Sequence, residues 1–190
     1  MNSALPNATR SYSFEELLEL EELTGLKYEL LDGQIVAMTG GTKAHNLIAL
    51  GLFTEIDGQK EEGCRLYVAD VKLRIDRERR VNDKDNSAYP DVMLACGEEG
   101  SELYEESPVL LAEVLSDSTA RNDKGEKREK YLAIESLQAY LILSQTEVMV
   151  TVYQRCGDEW VKSFHLGKET DLEVQLGQQH RPLALNLGRI

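Results

Sequence analysis

Glu113 interrupts an otherwise apolar run, Val109-Leu110-Leu111-Ala112-Glu113-Val114-Leu115, that starts after Pro108 and stops at Ser116-Asp117-Ser118. Such a run predicts a strand buried on both faces. A carboxylate inside it is costly unless a cation, a metal ion or a proton neutralises it. A second acid, Asp91, stands at the mouth of another apolar strand, in Tyr89-Pro90-Asp91-Val92-Met93-Leu94. Hard divalent cations such as Mg2+ take one or two carboxylates and fill their shell with water and phosphate oxygens. Two strand-borne acids could therefore hold one ion against a phosphate ester, where it polarises the ester and acidifies a bound water. Asp91 and Glu113 are the candidate metal ligands, for Mg2+ or, in its place, Mn2+, and phosphodiester hydrolysis is the chemistry they suit. Each acid has a plainer reading: Pro-Asp can simply open a strand or turn, and a buried glutamate can simply pair with an arginine.

Three further residues could join them. Lys127, Tyr131 and Ile134 repeat at i, i+4 and i+7 on one helix face, so the lysine must snorkel or find an anion, and Glu113 is the nearest candidate in sequence. Lys124 is the alternative amine. His45 opens a long helical pattern, where an imidazole could touch phosphate or relay a proton, or could merely be satisfied by water. Glu29 is either a further acid at the edge of the site or half of a cross-strand ion pair. Asp70-Val71-Lys72 also has an Asp-x-Lys spacing, but its alternation sets both charges beside Arg74 and Asp76, which reads as a solvated strand face that could line a phosphate track.

The elements that must position these groups are legible from capping and periodicity. Residues 1–11 are polar and read as loose. Ser13 with Glu16 makes a capping box for a helix carrying Phe14, Leu17 and Leu18, which Gly25 can end. A hairpin follows, residues 27–31 and 34–38 around Asp32-Gly33. After Gly40-Gly41, Ala44, Leu47, Ile48, Gly51, Leu52 and Ile56 recur at helical spacing. Residues 66–76 alternate as one strand with a wet face, and short strands are expected at 92–95 and 109–115. Asp123 and Glu126 have capping-box spacing for a helix to about residue 136. Another central strand is expected at 139–143, then a meander at 148–153 and 160–164, with edge strands after Leu172. Strand, crossover helix and strand imply that 109–115 and 139–143 are parallel neighbours. The fold class is thus α/β, a mixed central sheet flanked by helices, with an N-terminal helix and β-hairpin (12–40) added to a single domain spanning 1–190.

Bulk properties set limits. The chain has 190 residues, 42% hydrophobic and 29% charged, as expected of a globular domain. No apolar stretch approaches the ~20 residues needed to cross a bilayer. The first ten residues lack a signal-peptide core, so an intracellular, cytoplasmic protein is expected. Cys64, Cys96 and Cys156 are odd in number and widely spaced, and are expected to be reduced thiols with no zinc site. The net charge of −13 argues against a general nucleic-acid binder, an objection softened by basic clusters from Lys72 to Lys84 and from Lys124 to Lys130 and by the charge of any bound dication.

Tyr28-Glu29-Leu30-Leu31-Asp32-Gly33, Gly41-Thr42-Lys43-Ala44-His45-Asn46, Tyr89-Pro90-Asp91-Val92, Glu113-Val114-Leu115-Ser116 and Asp123-Lys124-Gly125-Glu126-Lys127 with Tyr131 follow one another in order. Together they resemble the Uma-two family of restriction endonucleases, a branch of the PD-(D/E)XK nuclease superfamily. The resemblance implies a restriction-endonuclease-like core, magnesium held by Asp91 and Glu113, a lysine that orients the attacking water, and DNA as substrate, with a homodimer as one arrangement. One departure stands out. The superfamily's plain pattern has its lysine two residues after the strand acid, where this chain has Leu115, so the amine moves to Lys127 on the following helix. That departure leaves a rival expectation open, a nuclease fold that binds or regulates without cutting.

Overall fold

The computed structural model of the protein describes residues 10–38, 40–75, 84–115 and 125–190. Asp76, Arg77, Arg79, Arg80, Asp123, Lys124 and residues 1–9 lie outside the described residues.

Helix α1 (Phe14–Thr24) starts with the expected capping box, Ser13 and Glu16 exchanging bonds, and stops at Gly25, whose φ of 67° supplies the left-handed cap. It buries Phe14, Leu17 and Leu20 against Tyr28 and Leu30 of β1 (Tyr28–Leu31). Strand β1 turns into β2 (Gln34–Ala37) through Asp32 and Gly33, both at positive φ, the primed geometry that matches strand twist. Helix α2 (Lys43–Asp57) is capped by Thr42, whose hydroxyl accepts the His45 amide. Its buried face is Ala49, Leu52 and Ile56, while Leu47 lies exposed, so the apolar stripe is rotated from the expected one.

Residues 66–76 are not one strand. β3 (Cys64–Val68) and β4 (Lys72–Ile75) belong to different sheets, separated by a kink at Ala69, where φ is 57°. The expected wet face does not extend to Lys72. Lys72 is 2% exposed and its amine donates to Glu21 of α1. Burial pushes that amine below its ordinary pKa against the opposing pull of Glu21. Asp70 sits in the kink and pairs with Lys27. Lys72 therefore ties α1 to the sheet and is not available to line a phosphate track.

The remaining strands are β5 (Asn86–Ala88), β6 (Val92–Cys96), β7 (Tyr104–Glu105), β8 (Pro108–Leu115), β9 (Ala139–Ser144), β10 (Met149–Cys156), β11 (Glu159–Leu166), β12 (Asp171–Val174) and β13 (Leu183–Asn186), with α3 (Glu126–Ala133) between β8 and β9. The single mixed sheet of the sequence reading resolves into two larger sheets, ordered β2-β1-β5-β4-β7 and β11-β10-β9-β8-β6-β3. The tail after Leu172 makes its own ribbon, β12 with β13, in place of edge strands. β8 and β9 run parallel with Glu113 opposite Ile142, as expected of two strands joined by a helical crossover.

The central strands β6, β8 and β9 of the six-stranded sheet are buried on both faces. Leu110, Ala112 and Val114 of β8 point to α2 and the β12–β13 ribbon. Leu111 points the other way, toward Tyr131 of α3 and Leu73 of β4, and Glu113 shares that face by the two-residue period of a strand. The sheets are joined where the chain passes from β3 to β4 and from β5 to β6, and the Ala69 amide donates to the Asp91 carbonyl between them at 3.0 Å. Asp91 therefore sits at the seam.

Cys64 and Cys96 form a disulfide, against the expectation of reduced thiols; only Cys156 is free. Sequence spacing could not reveal this, because the two residues meet only through the register of β3 with β6.

Candidate functional site

The register that pairs Val92 with Ala112 carries Asp91 to the position across from Glu113. One oxygen of Asp91, Oδ2, accepts the Val114 amide at 2.7 Å and faces His45 Nε2 at 3.0 Å. The Thr42 cap starts α2 at the same place and so delivers His45 to Asp91. Gly41 is required there: a Cβ on it would stand 2.9 Å from His45 Nδ1.

Glu113 is 7% exposed. Its Oε1 accepts from Lys127 Nζ at 2.9 Å and from the Tyr131 hydroxyl at 2.9 Å. Lys127 and Tyr131 are one turn apart on α3, so one helix face supplies both donors. Lys127 also donates to Glu29 Oε1 at 2.7 Å, and that oxygen takes the Tyr89 amide at 3.2 Å. Glu29 is thus bound to the site lysine from a different sheet, and is not half of a cross-strand pair.

Electrostatics follow from this packing. Burial pushes the Glu113 carboxyl above the usual range; Lys127 opposes that shift and the charge of Asp91 adds to it. Burial alone would lower the Lys127 ammonium, but Glu113 and Glu29 together hold it above its ordinary value, so it stays charged. Tyr131 is raised well above its ordinary value by burial and by Glu113, and remains a neutral donor.

All five residues singled out from sequence meet here: Asp91, Glu113, Lys127, His45 and Glu29. Tyr131 completes the cluster and was not singled out for a role. Its signal was present, a phenol on the same helix face as the site lysine. Beside the cluster opens a cleft of about 450 Å³ lined by Lys27, Thr42, His45, Asn46, Tyr89 and Asp91, among others.

The donors suit a hard dication. Asp91 Oδ1 and Glu113 Oε2 take no hydrogen bond from the described residues, whereas their partner oxygens are fixed by Val114, His45, Lys127 and Tyr131. Two preoriented carboxylates, each with an oxygen left over, are what magnesium asks of a protein. Among the described residues no third His, Cys or carboxylate atom joins them in a compact ligand group.

The protein slr1290 of Synechocystis sp. (strain ATCC 27184 / PCC 6803 / Kazusa), an uncharacterized protein, is 36% identical over 151 residues, covering 77% of this chain and 76% of its own. A second uncharacterized protein of that organism, sll1609, is 31% identical over 174 residues, covering 87% and 93%. The crystal structure of a protein from Anabaena variabilis ATCC 29413, described as a "putative nuclease belonging to DUF820", superposes with a TM-score of 0.69 over 93% of this chain and 96% of that one. At 17% identity that likeness is one of fold. The family model described as "Uma2: Putative restriction endonuclease" matches residues 14–186. This chain, with its restriction-endonuclease-like fold, belongs to the Uma2 family.

Proposed function

We propose that the protein is a magnesium-dependent endonuclease that hydrolyses phosphodiester bonds of DNA. The observation that carries this reading is the buried Glu113 carboxylate, met by the Lys127 ammonium at 2.9 Å and standing across the strand pair from Asp91. Asp91 and Glu113 would hold the ion, Mg2+ or Mn2+. Bound there, it would supply Lewis-acid polarisation of the scissile phosphate and a more acidic water.

The protein's own groups have separable tasks. Lys127 opposes the upward push of burial on Glu113 and offers N–H donors to a water or a phosphate oxygen. Because its ammonium is stabilised, it orients and does not serve as a base. Glu29 and Tyr131 fix the positions of Lys127 and Glu113. His45 braces Asp91 and can pass a proton toward the cleft. The N-terminus of α2, with Thr42, His45 and Asn46, faces the same opening, and its unpaired amides favour an anionic chain there.

The test is cleavage of plasmid or oligonucleotide DNA. Wild type should cut with Mg2+ and stop on chelation, and Glu113→Ala and Asp91→Ala should not cut. Equal background cleavage by all three defeats the proposal.

A second reading has an observation of its own. Lys127 is already shared between Glu113 and Glu29, and Leu115 stands where a strand lysine would be. In that case the cluster is a closed structural ion pair in a module that binds without cutting. A cation site gains thermal stability with Mg2+ or Mn2+, and a closed pair ignores both.

A further inference from the structure

At the far end of β6 from Asp91, roughly 17 Å along the strand by its rise per residue, the structure holds a second cluster of ligand-type side chains. Cys64 on the edge strand β3 lies directly opposite Cys96 on β6, with Cα atoms 4.1 Å apart. His180, from the segment before β13, brings a ring nitrogen to within 4.8 Å of both sulfurs. All three residues are partly exposed, so solvent and solutes reach them. The imidazole is oriented from behind. Its Nδ1 faces Glu61 Oε2 at 3.1 Å, and Glu61 is itself fixed by the Arg181 amide at 3.0 Å and guanidinium at 3.1 Å. That leaves Nε2 for a ligand role. Two sulfurs and an imidazole backed by a carboxylate form a donor set suited to a soft divalent cation.

We propose that Cys64, Cys96 and His180 form a redox-gated zinc site. In the oxidised protein the disulfide occupies both sulfurs and closes the site. A dithiol reductant transfers two electrons and two protons to it, giving the Cys64 and Cys96 thiols and the disulfide of the reductant. Zinc then binds the two thiolates and the His180 Nε2, and the two thiol protons go to solvent. The fourth tetrahedral position falls to water. Zinc would then hold β3, β6 and the segment before β13 together in place of the covalent bond.

Cobalt is the probe, since thiolate ligation gives a charge-transfer absorption and tetrahedral geometry gives intense visible bands. Protein reduced with a phosphine should show both with one equivalent of Co2+ and lose both when Zn2+ is added. Oxidised protein should show neither. Cys64→Ser and His180→Ala should remove or shift the bands. Glu61→Gln should weaken zinc about 10–100-fold in chelator competition. His180 lies outside both main sheets, so His180→Ala keeps the test usable if the cysteine variants do not fold. Absent bands in the reduced wild type overturn the proposal. So do bands that survive Cys64→Ser and His180→Ala but vanish in Cys156→Ser.

Discussion

Replacing Lys127 with methionine keeps most of the stem but removes the charge between Glu113 and Glu29. The ammonium is bonded to both carboxylates, at 2.9 and 2.7 Å, in a site where Glu113 has little access to water. Stripping one partner from a buried pair typically costs about 3–5 kcal/mol, because the remaining charge is left uncompensated. Proton uptake by Glu113 limits the loss, at about 1.4 kcal/mol per unit of pKa shift. The expected destabilisation is therefore about 3 kcal/mol near pH 8, or roughly 6–12 °C in Tm for a domain of this size. The pH dependence has a definite sign. Glu113 is already raised by burial and climbs further without the lysine, so the folded variant binds more protons than the unfolded chain and loses stability as pH rises through that raised value. Lys127 is raised in the wild type, so its own contribution is fully present throughout the neutral range and is lost only in strong alkali. The gap between wild type and variant should thus widen as pH rises through the raised value of Glu113. Urea unfolding at several pH values, with proton uptake measured on folding, reads this directly. A difference under about 0.5 kcal/mol that does not change with pH would show that Glu113 is compensated by something other than this amine.

The same reasoning extends to neighbouring groups. Glu113→Gln should abolish any stabilisation by Mg2+, which thermal denaturation with and without the ion checks. Tyr131→Phe should cost about 1–3 kcal/mol by removing a donor from a buried carboxylate without leaving a large cavity, which chemical denaturation would resolve. The Glu61 carboxyl is pulled down to a pKa of about 2 by its bond to His180, then by the Arg181 amide and guanidinium. Its folded value is depressed, so its contribution is present above the ordinary carboxylate range and is lost as pH falls toward 2. The stabilities of wild type and Glu61→Gln should accordingly converge over that acid interval; parallel curves would refute the assignment.

What could be read from sequence here were features whose cause is local. The Ser13 capping box, the Asp32-Gly33 turn and the apolar run around Glu113 each carry their signal within a few residues, and all three stand in the structure. The placement of Lys127 was legible for the same reason, because one helix face puts it with Tyr131. Long-range partnerships were not. Glu29 and Lys127 are 98 residues apart in the chain and meet only because two sheets are joined at the seam by Asp91. The disulfide depends on the register of β3 with β6. The break at Ala69 was hidden by a charge alternation that looks continuous across it, and the burial of Lys72 followed from packing by α1. Leu47 fitted a helical stripe that tertiary packing rotated away from the core.

The proposed function requires Asp91 and Glu113 to share one divalent cation. Its most direct test is a crystal of the protein soaked in Mn2+ and measured at a wavelength where manganese scatters anomalously. A single strong peak bonded to one oxygen of each carboxylate, lost in Glu113→Gln crystals, is the predicted result. A map with no peak there, while Lys127 still bridges Glu113 and Glu29, would contradict the claim and leave the cluster as a structural ion pair.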